Sequence, residues 1–81
     1  MRERALNTLG YEVLGQGNTK GAIALFALNV AMYPKGYNTY DSLAEAYMDK
    51  GNKKEAIKNY KKSLALNPAN TNAEKMLKKL K

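Results

Sequence analysis

Apolar positions recur at helical spacing in five successive stretches of the chain. From about Arg4 to Gln16, Leu6, Leu9, Val13 and Leu14 fall on a common face of a predicted helix. Gly17 ends it, because glycine tolerates the left-handed backbone that closes helices. Asn18 can then cap a second helix, expected from about Thr19 to Tyr33 and stopped by Pro34. Tyr40, Leu43, Tyr47 and Met48 form the inner face of a third helix, from about Asn38 to Lys50. Gly51 breaks that helix and Asn52 caps the next, with Glu55 as its capping-box partner. Ala56, Ile57, Tyr60, Leu64 and Leu66 supply a packing stripe as far as Asn67-Pro68. A short fifth helix is expected from Thr71, where Thr71-x-x-Glu74 reads as another capping box and Ala73, Met76, Leu77 and Leu80 share a face.

The stretches are copies of one another. At a lag of 34 residues Gly17-Asn18 returns as Gly51-Asn52, Ala22-Ile23 as Ala56-Ile57, Leu9 as Leu43 and Pro34 as Pro68. Val13 with Tyr47, Phe26 with Tyr60 and Val30 with Leu64 are chemical matches at the same lag. A fixed period of this length marks a repeated helix–turn–helix unit. The expected fold is therefore all-α: one unit over residues 3–36, a second over 37–70, and a capping helix over 71–81. Such a cap shields the apolar side of the last full unit, as a terminal repeat must.

Composition narrows the chemistry. The 81 residues include no Cys and no His, which excludes disulfides and thiolate metal sites and removes the commonest general base and metal ligand. No cofactor is expected. No apolar run has the length of a membrane span, and Met1-Arg2-Glu3-Arg4 is not followed by a signal-peptide core. The compartment is open: cytoplasmic by default, periplasmic or exported if the module is the tail of a larger hydrolase. The net charge of +7 is uneven, with four basic and five acidic groups in residues 1–49 and ten Lys against Glu55 and Glu74 beyond.

The pattern resembles the tetratricopeptide repeat family, in which a large residue, Leu-Gly, an aromatic, a helix-breaking Gly, Ala, an aromatic and a closing Pro follow in order. The first unit reads Leu6, Leu9-Gly10, Val13, Gly17, Ala22, Phe26, Pro34, and the second Tyr40, Leu43-Ala44, Tyr47, Gly51, Ala56, Tyr60, Pro68. The resemblance implies a helical-repeat module that binds proteins, with Gly10, Ala22, Ala44 and Ala56 at close helix crossings. Val13, which is not aromatic, and Asn29 and Ser63, which stand where a small alanine is usual, depart from the pattern. The stretches Leu28-Asn29-Val30, Tyr33-Pro34, Tyr40 to Tyr47 and Asn70 to Ala73 are also similar to the two-repeat tails of prokaryotic serine hydrolases of penicillin-binding and β-lactamase-like type. No Ser-x-x-Lys occurs, so none of that catalysis transfers.

Nothing in the sequence points to an enzyme. Asp41, Glu45 and Asp49 lie four apart and form an acidic ridge on the third helix, without signs of the pocket that paired catalytic carboxylates need. Lys75 and Lys79 stand one period after Asp41 and Glu45, so the expected account of the ridge is neutralisation by the capping helix. The alternative is a peptide-binding groove, which the family places on the first helix of each unit, made here by Asn7, Tyr11, Asn38, Asp41 and Glu45 and suited to Lys- or Arg-bearing peptides. The carboxylate clamp of chaperone-binding relatives would need Lys, Asn and Arg at Asn7, Tyr11, Ser42, Asn72 and Met76, and is absent. Lys53, Lys54, Lys58, Lys61 and Lys62 read as a solvated face. Without arginines or a stacking platform among them, they argue against nucleic-acid binding.

The second helix is apolar almost all round, Asn29 being its one plainly polar residue between Ala22 and Tyr33. Ala24, Leu25, Ala27 and Leu28 stand where the second unit has Lys58, Asn59, Lys61 and Lys62. With Ala31 they form a smooth strip that another helix can approach closely. The expected role of Ala24, Leu25, Ala27, Leu28 and Ala31 is contact with a protein, either a partner surface or a second copy in a homodimer.

Overall fold

The computed structural model describes residues 2–80. It contains five helices in chain order: α1 (Glu3–Gly15), α2 (Thr19–Met32), α3 (Tyr37–Lys50), α4 (Lys53–Leu66) and α5 (Thr71–Leu80). α1 pairs with α2 and α3 with α4, while α2 packs on α3 and α4 on α5. The result is the expected stack of two helical hairpins and a terminal helix, with boundaries within a residue of those read from the sequence.

Each hairpin turns on the same local chemistry. Gly17 and Gly51 take φ of 85° and 87°, the left-handed values at which a Cβ would be strained. The next residue then caps the following helix: Asn18 accepts from the Gly21 N–H at 2.9 Å and Asn52 from the Glu55 N–H at 3.2 Å. α5 differs from expectation. Its cap is Asn70, which accepts from the Ala73 N–H at 3.2 Å, so Thr71 opens the helix instead of capping it.

The core consists of small residues facing aromatic rings. Gly10, Ala22, Ala44 and Ala56 are all buried at the crossings of paired helices. A Cβ on Gly10 would collide with the Phe26 ring, whose Cδ1 and Cζ lie 2.7 and 2.8 Å from its ideal position. Phe26 and Tyr60, one period apart, are the largest fully buried side chains. Between the hairpins, Ile23, Phe26 and Val30 meet Leu43, Ala46 and Tyr47. Under the cap, Tyr60, Ile57 and Leu64 meet Ala73, Met76, Leu77 and Leu80.

Asn29 and Ser63, departures from the repeat pattern, tie each hairpin together. Asn29 Nδ2 donates to the Glu3 carbonyl at 3.0 Å, and Ser63 Oγ donates to the Tyr37 carbonyl at 2.8 Å. Donors and acceptors alike are one period apart. The second tie is completed by Asn70, whose Nδ2 donates to Ser63 Oγ at 2.8 Å while its Oδ1 caps α5. The first unit has Gly36 at that position. Asn29 Oδ1 is consequently a buried acceptor without a partner, and α3 starts without a side-chain cap.

Gly36 has φ −84° and ψ 107°, which any residue adopts, and the nearest atoms to a Cβ there are those of the Glu3 carboxylate, the far end of a flexible side chain. Gly36→Asn should therefore cap α3 and satisfy Asn29. The expected gain is about 1 kcal/mol, or a rise of about 4–8 °C in melting temperature by circular dichroism. An unchanged or lower midpoint would show that the tie of the second unit cannot be copied into the first.

Candidate functional site

Three surfaces of the stack differ from an ordinary solvated exterior. The first is the face made by α1 and α3. α1 brings Asn7 and Tyr11, α3 brings Asn38, Asp41, Ser42 and Glu45, and α5 adds Asn72 from its first turn. Ser42 Oγ donates to Asn7 Oδ1. Asn72 Nδ2 donates to both carboxylate oxygens of Asp41, at 3.1 and 3.3 Å. The Tyr11 ring stands edge-on to Phe26 with centroids 5.0 Å apart, its hydroxyl within reach of Ser42 and Glu45. Asn7 and Asn38 line a separate hollow of about 360 Å³ with Glu3 and Arg4. The five residues expected to form a groove thus fall into two neighbouring groups, Tyr11–Asp41–Glu45 and Asn7–Asn38, joined through Ser42.

The electrostatics of this face follow from partial burial. Burial, then the charges of Asp41 and Glu45, push the Tyr60 phenol up to about 12. Burial also drives Tyr11 above the usual phenol range, with Glu45 and Asp41 acting in the same sense. Both rings stay neutral hydrogen-bonding groups at ordinary pH.

The expected neutralisation of the ridge by Lys75 and Lys79 does not occur. Among the described residues no lysine comes within salt-bridge distance of Asp41 or Glu45, and Lys78 pairs with Glu74 inside α5 at 3.5 Å. The reason is geometric: α5 packs on α4, and what it brings against Asp41 is its first turn, so Asn72 arrives there while Lys75 and Lys79 are exposed. Asp49 accepts from Thr19 Oγ1 at 2.8 Å, a link between hairpins that the ridge pattern alone did not reveal.

The second surface is the outside of α2. Ala24, Ala27, Leu28 and Ala31 are exposed and Leu25 half-buried; Leu28 retains 49% and Met32 47% of its accessible area. The corresponding outside of α4 carries Lys58, Lys61 and Lys62, with the Lys62 ammonium 5.9 Å from the centre of the Tyr40 ring. The third is the free end of the first hairpin, where Arg2, Arg4, Ala5, Thr8, Leu9 and Glu12 line a shallow hollow of about 510 Å³. Among the described residues no group of three acidic residues is arranged to hold a metal, and no helix is long and apolar enough to cross a membrane.

Two hairpins in a 34-residue register, each closed by Gly-Asn and built on a small-against-aromatic crossing, define the family comparison. Residues 37–70 match the tetratricopeptide repeat model. The match supports the tetratricopeptide repeat family, whose repeats mediate protein–protein interaction, and coincides with α3, α4 and the turn up to Asn70. The first hairpin lies outside the matched range, and Val13, Asn29 and Gly36 are among the positions where it differs from the matched repeat. No curated protein matches the chain. In the stack, α1 and α3 lie side by side with the first turn of α5 reaching Asp41 of α3, and the apolar outside of α2 is a separate surface.

Burial is the largest influence on Asp41 and raises its carboxyl above the ordinary value, Glu45 adding to the effect and Asn72 and Asn70 opposing it. A carboxyl with a higher pKa folded than unfolded costs stability as pH climbs through that interval, and costs nothing below roughly 3.9. Asp41→Asn should therefore melt at a higher temperature than the parent at pH 7, with the gap closing as the pH falls below about 4. A lower midpoint at pH 7 would show that the two-oxygen bond from Asn72 outweighs the desolvation.

Proposed function

We propose that the chain is a protein–protein interaction module that docks a partner through the apolar outside of α2. The observation that carries this reading is the difference between equivalent positions. Ala24, Ala27 and Leu28 are exposed where the second hairpin exposes Lys58, Lys61 and Lys62. Both faces belong to the same repeat geometry, so their contrast reflects residue choice and not the packing of the hairpins. A contiguous apolar strip has a cost in solubility unless something covers it, and alanines at helical spacing allow a helix to approach closely. The resemblance to two-repeat tails of serine hydrolases makes an attached enzyme one source of such a partner.

A second reading is supported by the unpaired ridge. Among the described residues Asp41 and Glu45 meet no lysine, and the neutral hydroxyl of Tyr11 stands beside them. This surface suits a Lys- or Arg-bearing peptide lying along α1 and α3.

Photo-crosslinking separates the equivalent faces. With a benzophenone amino acid at position 28 or at position 62, adducts in cells that make the protein are expected from the former alone, and Ala27→Glu should abolish them. Equal adducts from both positions, or none from position 28, would remove α2 as the docking face. The groove is tested by titrating a lysine-rich peptide into the parent and into Asp41→Lys/Glu45→Lys. Binding lost in the variant, with crosslinking through α2 intact, is the expected result for a groove ligand, and equal binding discards it.

A further inference from the structure

The 34-residue register gives each face of the first hairpin a counterpart whose fate is known. On α3, Thr39, Ser42, Leu43 and Ala46 are buried. On α5 the same register positions are Ala73, Met76, Leu77 and Leu80, which sit on the second hairpin. On α1 they are Ala5, Thr8, Leu9 and Glu12. Ala5, Thr8 and Glu12 are exposed, Leu9 is half-exposed, and the four line the hollow at the free end. α2 extends this end. Ile23 and Val30 pack towards α3, and at 100° per residue Leu25, Leu28 and Met32 lie on the opposite flank.

Charge distinguishes the occupant. The apolar Ala46 and Leu80 are replaced by a carboxylate at Glu12, while Arg4, lining the same hollow, stands where α3 has Asn38. Among the described residues neither Arg4 nor Glu12 has an ion-pair partner. A further hairpin of the chain's own type, with an apolar end like that of Ile23, Phe26 and Val30, would bury Glu12 unpaired. A second α1 running antiparallel has no such defect. Arg4 and Glu12 are equidistant from Thr8 and about 12 Å apart along the helix. A two-fold axis at Thr8 sets each Arg4 against the partner's Glu12, with Ala5 and Leu9 between them. The lysine-rich residues from Lys50 onward lie at the other end of the stack, away from the axis.

We infer that the free end of the first hairpin is a self-complementary surface, and that its partner is a second copy of this chain held by antiparallel α1 helices and reciprocal Arg4–Glu12 pairs. Leu25 and Met32, beside the outer strip of Ala24, Ala27 and Leu28, widen the contact towards the area of roughly 1,200 Å² that a specific interface needs. The inference rests on the reading of the chain as a protein-contact module and adds the partner and the flank it uses. Ala27, on the outer side of α2, is not part of this contact.

The test is molar mass by multi-angle light scattering over a wide concentration range, for the parent chain, Arg4→Glu, Glu12→Arg, the double exchange and Ala27→Glu. The parent is expected to dimerise. Each single reversal puts like charges together twice and should weaken association at least tenfold, with unchanged circular dichroism. The double exchange should restore the dimer, and an equimolar mixture of the two single variants should associate although neither does alone. Ala27→Glu should leave this dimer in place. A dimer indifferent to the reversals and dissociated by Ala27→Glu overturns the inference in favour of the outer strip of α2. A monomer at every concentration overturns it while leaving α2 free for a different partner.

Discussion

The structure depends on how closely two helices can cross. Phe26 and Tyr60 each need neighbours with little or no side chain, and Gly10, Ala22, Ala44 and Ala56 provide them. The crossing is tightest in the first hairpin, where a single added methyl would strike the Phe26 ring. A helix pair held this closely presents flat flanks, and flat flanks stack. The contact of Leu43 and Ala46 with the first hairpin, and of Ala73 and Leu80 with the second, both follow from it. Interiors packed to crystal-like density leave little freedom at such a crossing, so the angle between paired helices is set by these four positions before any surface residue has a say.

Polar groups finish what the apolar crossing begins. Asn29 and Ser63 reach across from the paired helix and donate to the carbonyls of Glu3 and Tyr37, the residues that open α1 and α3. The second hairpin closes its network through Asn70, whereas the first leaves Asn29 Oδ1 unsatisfied. Buried polar groups contribute most when the network is complete. The two units are therefore unequal in internal order despite the same outline, and the second is also the one that matches the repeat family.

Much of this was legible in the sequence because the period is strong. The lag between Gly17-Asn18 and Gly51-Asn52, and between Phe26 and Tyr60, fixes helix number, order and crossing points without any tertiary information. What could not be read was the direction of individual side chains across the stack. Lys75 and Lys79 fall one period after Asp41 and Glu45, yet α5 leans on α4 and brings Asn72 to Asp41. Asn29 and Ser63 look like imperfections in a small-residue position because a pattern records size and not hydrogen bonding. The cap of α5 lay one residue before the Thr71 box for a related reason: Asn70 is held by its bond to Ser63, near the end of α4, which residue type alone does not announce. Leu9 and Leu43 are identical in sequence and unequal in burial, since only the second has a hairpin in front of it.

α5 is, by register, the counterpart of α1 and α3, the helices that open each hairpin. The side on which a sixth helix would lie is occupied by lysines and Glu74, with Lys78 and Glu74 already engaged to each other. Growth of the stack in that direction would have to desolvate several ammonium groups, and the surface offers no apolar seat to offset the loss. The other end presents Ala5, Thr8 and Leu9, with the carboxylate of Glu12 as the charge that an added layer must pair. The module thus has a polarity in the polymer sense: one terminus quenched by charge, the other still able to add a layer.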